Sequence, residues 1–264
     1  MHHSESAKWL IDFQGGEGLP LLFCFSYAGG SAEFYRLWQP LLSGTVTVCP
    51  VELPGHGRRI AEPYVASIAG AAQEIARIAA DAAAGPFFLF GHSLGSVMAY
   101  ETAKVLEERG TPPEALIVSG RFPPHLESGR HRLHEATEEV LVAELQRLGG
   151  TPDEVLRDQN VRDVLLPIVR DDFRLMETHD GRLRGMLSCP VHACCGEDDP
   201  DATPASPERW ADVTSGPSSV AWFPGDHFYI RESSAALARR IAAIVDRPIR
   251  PGADDGAAIQ EGAR

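Results

Sequence analysis

Apolar positions in this chain come in short, nearly unbroken runs, separated by longer stretches of helical period. Six runs, at 20–25, 45–51, 86–90, 115–119, 190–195 and 219–223, are dominated by apolar and β-branched residues. A strand with one wet face alternates apolar and polar positions, whereas a strand covered on both faces does not. These runs therefore read as buried strands. The segments 68–84, 96–109 and 234–245 space their apolar residues as amphipathic helices, and Gly110 suits a helix C-cap. Strands alternating with helices predict an α/β fold with a mostly parallel central sheet and helices on both faces.

One gap breaks that rhythm. Between 119 and 190 lie about 70 residues without a convincing buried strand, while 137–146 and 163–177 have amphipathic helical patterns. The gap reads as a helical insertion, about 121–188, lying over one edge of the sheet as a lid. Residues 1–246 are expected to form a single domain. The tail 247–264 is rich in Gly, Asp, Ala and Pro and reads as disordered.

Composition narrows the function. A chain of 264 residues can bury a large core. Its net charge of −13, with no Lys/Arg cluster, argues against nucleic acid as a partner. Arg58–Arg59 and Arg239–Arg240 read as solvated pairs. No segment is long and apolar enough to span a bilayer, and the N-terminus lacks a signal core, so a cytoplasmic location is expected. The five cysteines, Cys24, Cys49, Cys189, Cys194 and Cys195, read as buried reduced thiols. Cys189 with Cys194–Cys195 lacks paired C-x-x-C spacing, so no metal is expected.

The candidate chemistry centres on G-H-S-L-G, residues 91–95. A strand precedes it and a helix follows, the context in which G-x-S-x-G lifts a nucleophilic serine above a sheet. Ser93 is that serine, at the positive end of the following helix. A serine hydroxyl needs a base, and on such a scaffold the expected order is Ser, then Asp or Glu, then His. G-E-D-D-P (196–200) follows the fifth run, and G-D-H-F (225–228) follows the sixth. His227 is the expected base and Asp199 its orienter, with Asp198 and Asp201 as rivals for that role. His56, His92, His125, His131, His134, His179 and His192 lack such placement and read as structural or exposed. An oxyanion hole needs two backbone N–H groups. Leu94, after the nucleophile, supplies one. The loop S-Y-A-G-G-S after the first run supplies the other, from Ala28 or its rival Tyr27. No P-loop or dinucleotide fingerprint is present.

Taken together, F-S-Y-A-G-G-S-A-E-F-Y, E-L-P-G-H-G-R-R, G-H-S-L-G-S-V-M-A-Y-E, L-L-P-I-V-R-D-D-F-R-L-M-E-T, G-E-D-D-P and F-P-G-D-H-F-Y-I resemble the type II thioesterases that accompany polyketide synthases and non-ribosomal peptide synthetases. The resemblance runs from about residue 21 to about residue 245. It implies an α/β-hydrolase fold with a helical lid. It also implies hydrolysis of acyl groups from the phosphopantetheine arm of acyl or peptidyl carrier proteins, as an editing activity without cofactor. Matched residue by residue, the triad falls on Ser93, Asp199 and His227, and the oxyanion donors on Ala28 and Leu94. One departure stands out: the family often has His before A-G-G, where this chain has Tyr27. Phe173, Leu175 and Met176 are candidates for pocket lining or for ordinary helix packing. Arg121, Arg130 and Arg132 are candidates for a basic patch beside the lid. A general esterase, an acyl-CoA thioesterase or a non-catalytic interaction protein are the alternatives.

Overall fold

The computed structural model describes residues 8–11, 18–126, 132–202 and 206–246. The tail 247–264, His131 and Arg130 lie outside them. Six strands form one sheet in the order β2-β1-β3-β4-β5-β6, with β1 Leu21–Phe25, β2 Thr47–Val51, β3 Phe87–His92, β4 Ala115–Ser119, β5 Val191–Gly196 and β6 Ser218–Phe223. Every neighbouring pair is parallel. The six expected runs all became strands. An additional antiparallel bridge joins Leu10 to Val51 at the outer strand.

The strands divide their side chains between two apolar layers. Phe23, Leu89, Leu116 and Ala193 face one, while Leu22, Phe88, Phe90, Ile117 and Cys194 face the other. This two-residue alternation is masked in the sequence because both faces are covered. The second layer closes on α1 (Glu33–Arg36), through Tyr35 and the neighbouring Trp38, and on α8 (Ser234–Val245), through Leu237 and Ile241. The first closes on α2 (Ile68–Ala82) and α3 (Leu94–Glu108). Ser67 caps α2, its Oγ accepting from the Gly70 N–H at 3.1 Å. Helix α3 starts two residues earlier than its apolar period suggested, immediately after Ser93.

Between β4 and β5 the chain forms three helices, α4 (Glu138–Leu148), α5 (Asp153–Arg157) and α6 (Gln159–Thr178). The edge they cover is the one formed by the carboxyl ends of the strands. Asp158 caps α6 through the Asn160 N–H at 2.9 Å, which extends that helix beyond the expected start. Leu141, Leu145, Leu156, Leu166, Val169 and Phe173 bury their side chains in the first apolar layer. Residues 229–232 form a one-turn helix, α7 (Tyr229–Glu232). Among the described residues, no helix is long and apolar enough to cross a membrane.

The Arg58–Arg59 pair corrects the expectation of two solvated cations. Arg58 is exposed, but Arg59 is buried. Its guanidinium lies over the Trp9 ring, donates to the Glu52 carbonyl at 3.1 Å and grips Glu62 at 2.7 and 3.1 Å. A cation with an aromatic face and carbonyl and carboxylate acceptors can be held at such a site. Arg240 is also half-buried and donates to Ser219 Oγ at 2.9 Å, while Arg239 is exposed.

Strand order reverses between β1 and β3: the chain leaves β1 toward β2 on one side, then returns to place β3 on the other. Ligands of open parallel sheets bind beyond the carboxyl ends of the strands at such a switch point. The loop after β1 and the turn after β3 meet there.

Candidate active site

Ser93 sits at the switch point with φ 54° and ψ −116°. Among the described residues it is the only non-glycine with positive φ. Such a conformation costs about 1–3 kcal/mol and persists only when the surroundings enforce it. Close packing enforces it here. A Cβ on Gly91 would come 2.0 Å from the Gly95 carbonyl oxygen, and one on Gly95 would come 2.1 Å from the Phe25 carbonyl oxygen. Ser96 pins the turn from behind. Its Oγ lies 2.8 Å from the Gly91 carbonyl and 2.9 Å from the Ser119 carbonyl, and it accepts the Ser119 N–H at 3.0 Å. The Ser93 N–H donates to the Ser119 carbonyl at 2.8 Å, which ties the turn to β4.

The loops after β5 and β6 are fastened together by backbone hydrogen bonds, Glu197 N–H to Phe223 and Asp198 N–H to Gly225. The fastening brings Asp199 to His227, whose Nδ1 stands 2.9 Å from Asp199 Oδ2. Both residues are buried. The Asp199 carboxylate is itself held by the Asp201 N–H at 2.9 Å. Of the three carboxylates weighed from sequence, it is Asp199 that meets His227. Asp198 is exposed, and Asp201 accepts from Arg147 of the insertion at 2.9 Å.

Ser93, His227 and Ala28 line one cavity of about 530 Å³, which falls within the size range of small-molecule sites. The insertion supplies much of its wall, including Leu145, Leu148, Phe173 and Met176. Leu175 is buried in the first apolar layer instead. Tyr27 lines the cavity as well, its ring edge-on to His92, Phe34 and Phe228. Leu94 is the first residue of α3, so its N–H has no partner within the helix. Arg121 and Arg132 reach the cavity, as does Arg147. They do not form a bare basic patch: Arg132 pairs with Glu135 at 2.8 Å, and Arg147 with Glu144 at 2.7 Å.

His92, which the sequence left without a role, is buried beside His227, with ring centroids 5.1 Å apart. Its Nδ1 lies 2.9 Å from Ser119 Oγ, which in turn lies 2.6 Å from the Tyr229 hydroxyl. Burial pushes the His92 pKa far below the usual imidazole range, and the charges of His227 and Arg231 push it the same way. That direction favours a neutral His92 beside His227. Gly120 leaves room for both rings, since a Cβ there would sit 2.6 Å from His92 Cε1 and 3.4 Å from His227 Cε1.

Residues 20–245 match the family model described as a thioesterase domain. The chain belongs to the thioesterase family. It is 35% identical over 236 residues to the thioesterase PikA5 of Streptomyces venezuelae, covering 86% of this chain and 82% of that protein. It is 34% identical over 240 residues to a Brevibacillus parabrevis protein named linear gramicidin dehydrogenase LgrE, covering 89% and 91%. Among solved structures it superposes on the type II thioesterase BorB from the borrelidin biosynthetic cluster with a TM-score of 0.82 and 35% identity, covering 90% of this chain and 97% of that one. The α/β-hydrolase fold implied by the sequence resemblance is thus established for this thioesterase, and with it the class of reaction, hydrolysis of a thioester.

Other residues of the site region escaped the sequence reading. Glu52 accepts the Ala32 N–H at 3.0 Å, and Asp172 accepts the Gly29 N–H at 2.7 Å, so carboxylates hold the loop after β1 at two points. Their partners lie 20 and 143 residues away along the chain. The local signal for Asp172 was the R-D-D-F segment, which drew attention to the insertion without giving either aspartate a task.

Proposed function

We propose that this thioesterase removes acyl groups from the phosphopantetheine arm of acyl or peptidyl carrier proteins, as an editing enzyme of polyketide or non-ribosomal peptide synthesis in the cytoplasm. Ser93 Oγ attacks the thioester carbonyl while His227 takes its proton. The N–H groups of Ala28 and Leu94 hold the oxyanion. Collapse of the tetrahedral adduct breaks the C–S bond, and the imidazolium of His227 returns the proton to the departing thiol. His227 then takes a proton from water as it attacks the Ser93 ester, and Ser93 is regenerated with release of the acid. Asp199 fixes the tautomer that leaves Nε2 free to accept, and stabilises the imidazolium. The helical insertion between β4 and β5 serves as the lid of the acyl pocket.

The observation that carries this reading is the shared cavity. It holds a strained serine at a strand-to-helix turn and a histidine whose other nitrogen is bonded to a buried carboxylate. The carrier-protein substrate is supported by the similarity to a type II thioesterase and to PikA5. The dehydrogenase in the name of the Brevibacillus relative does not carry over, because the sequence holds no G-x-G-x-x-G fingerprint.

The test is release of a short acyl group from a carrier protein by the wild type and by Ser93→Ala, with the matching acyl-CoA and a simple ester in parallel. Release by the wild type that the variant loses is expected. A wild type that cleaves acyl-CoA and esters but spares the carrier protein would move the assignment to a general hydrolase.

A further inference from the structure

Helix α6 packs on the loop after β1 through apolar side chains and through one buried carboxylate, Asp172. The Gly29 N–H donates to Asp172 Oδ2 at 2.7 Å, and His56 Nε2 lies 3.0 Å from the same oxygen. Asp172 is fully buried. One turn earlier on the same helix, Val169 presses on the loop: a Cβ at Gly29, where φ is +73°, would come 2.6 Å from Val169 Cγ2. The helix can approach this closely only because residue 29 is a glycine.

The hydrogen bonds fix two successive peptide planes. The Gly29 N–H shares its plane with the Ala28 carbonyl, and Asp172 holds that plane. The Ala28 N–H shares its plane with the Tyr27 carbonyl, which accepts the Gly30 N–H at 2.9 Å. The Ala28 N–H thus lies in the plane held by Gly30, and Asp172 holds the plane that adjoins it at the Ala28 Cα. Glu52 closes the far end at Ala32. Residues 28–32 are strung between the carboxylate of Glu52, just past β2, and the Asp172 carboxylate of the insertion.

The charge on Asp172 has a partner. His56 Nδ1 lies 3.1 Å from the Pro54 carbonyl, and its Nε2 faces Asp172. A carbonyl and a carboxylate only accept, so this pair of contacts favours the form of His56 that donates from both ring nitrogens, the imidazolium. Burial opposes that charge, but the hydrogen bond to Asp172 and its negative charge outweigh it, and the His56 pKa is raised.

We infer that Asp172 is a positioning residue through which the insertion aims the Ala28 N–H. The oxyanion hole is then complete only while α6 is seated on the loop. This rests on the reading of Ala28 as an oxyanion donor. It adds that the donor is assembled across two parts of the chain, and that the acyl pocket wall and the oxyanion hole share one element.

The test compares wild type, Asp172→Ala and Asp172→Asn, with Ser93→Ala as the inactive reference. The substrate is an acyl-N-acetylcysteamine thioester. An alkyl trifluoromethyl ketone, which forms a tetrahedral oxyanion with serine, serves as inhibitor. Thermal melts accompany each variant. Asp172→Ala is expected to lower kcat by about 100-fold with KM within about twofold, as for a misaligned oxyanion donor. Its inhibition constant for the ketone should rise by a similar factor. Asp172→Asn keeps an acceptor for the Gly29 N–H and should recover part of kcat while remaining folded.

Unchanged kcat and ketone affinity in both variants, with Ser93→Ala inactive, would overturn the inference and leave the serine mechanism standing. Loss of kcat that tracks a fall in melting temperature, with ketone and substrate weakened alike, would reduce Asp172 to a structural role and overturn it too. A wild type without hydrolysis would overturn both readings.

Discussion

Asp199 Oδ2 and His227 Nδ1 meet at 2.9 Å in a buried site, across two loops that backbone hydrogen bonds hold side by side. The consequence is a fixed tautomer, with Nδ1 donating and Nε2 left to accept. Asp199→Asn keeps the shape but presents an amide that can turn its N–H toward the ring, favouring the wrong tautomer. We expect kcat for thioester hydrolysis to fall by about four orders of magnitude with little change in melting temperature. Steady-state kinetics beside a thermal melt checks it, and Asp198→Asn in the same assay should stay within about twofold of wild type.

Strain at Ser93 gives a second prediction. Ser93→Ala and Ser93→Gly should both abolish hydrolysis, but they should differ in stability. Alanine keeps the cost of positive φ, and glycine removes it. Chemical unfolding should show Ser93→Gly more stable than Ser93→Ala by about 1 kcal/mol. Equal stability would mean that the turn is not strained.

A third prediction concerns acid. His192 is buried in β5, with its Nδ1 2.7 Å from Ser219 Oγ. Burial, and secondarily the charge of Arg240, lowers its pKa to about 4. The unfolded value is near 6.5, so between about 6.5 and 4 the unfolded chain binds the proton and the native chain does not. Stability is therefore fully present above about pH 6.5 and falls as pH drops through this window, by about 3 kcal/mol from this residue. Urea unfolding of wild type and His192→Asn at pH 7 and pH 4.5 should show a smaller acid loss in the variant.

The sheet was legible because its strands are buried on both faces, and continuous apolar runs such as 86–90 have few other readings. Ser93 was legible as the candidate nucleophile because a strand, two glycines and a helix surround it within a dozen residues. Asp199 was harder. Three acidic residues lie within four positions, and only the fastening of the β5 and β6 loops separates them. Asp172 and His56 were not legible in their roles. They lie 116 residues apart, and nothing local distinguishes a buried aspartate on an amphipathic helix from an exposed one. Arg59 failed for the same reason, since the ring of Trp9 that shelters it is remote in sequence.

All five cysteines are free and buried. Burial raises the Cys49, Cys189, Cys194 and Cys195 thiols to about 12, and raises Cys24 well above the usual thiol range. Acyl thioesters exchange readily with thiolates, and a thiol at such a pKa supplies almost none at neutral pH. In the proposed setting the protein works amid acylated and free phosphopantetheine thiols. Burial and a raised pKa both disfavour acyl capture and mixed-disulfide formation at its own thiols. On the proposed mechanism the acyl group is carried as an oxygen ester at Ser93, beside which the buried thiols of the chain offer almost no thiolate at neutral pH.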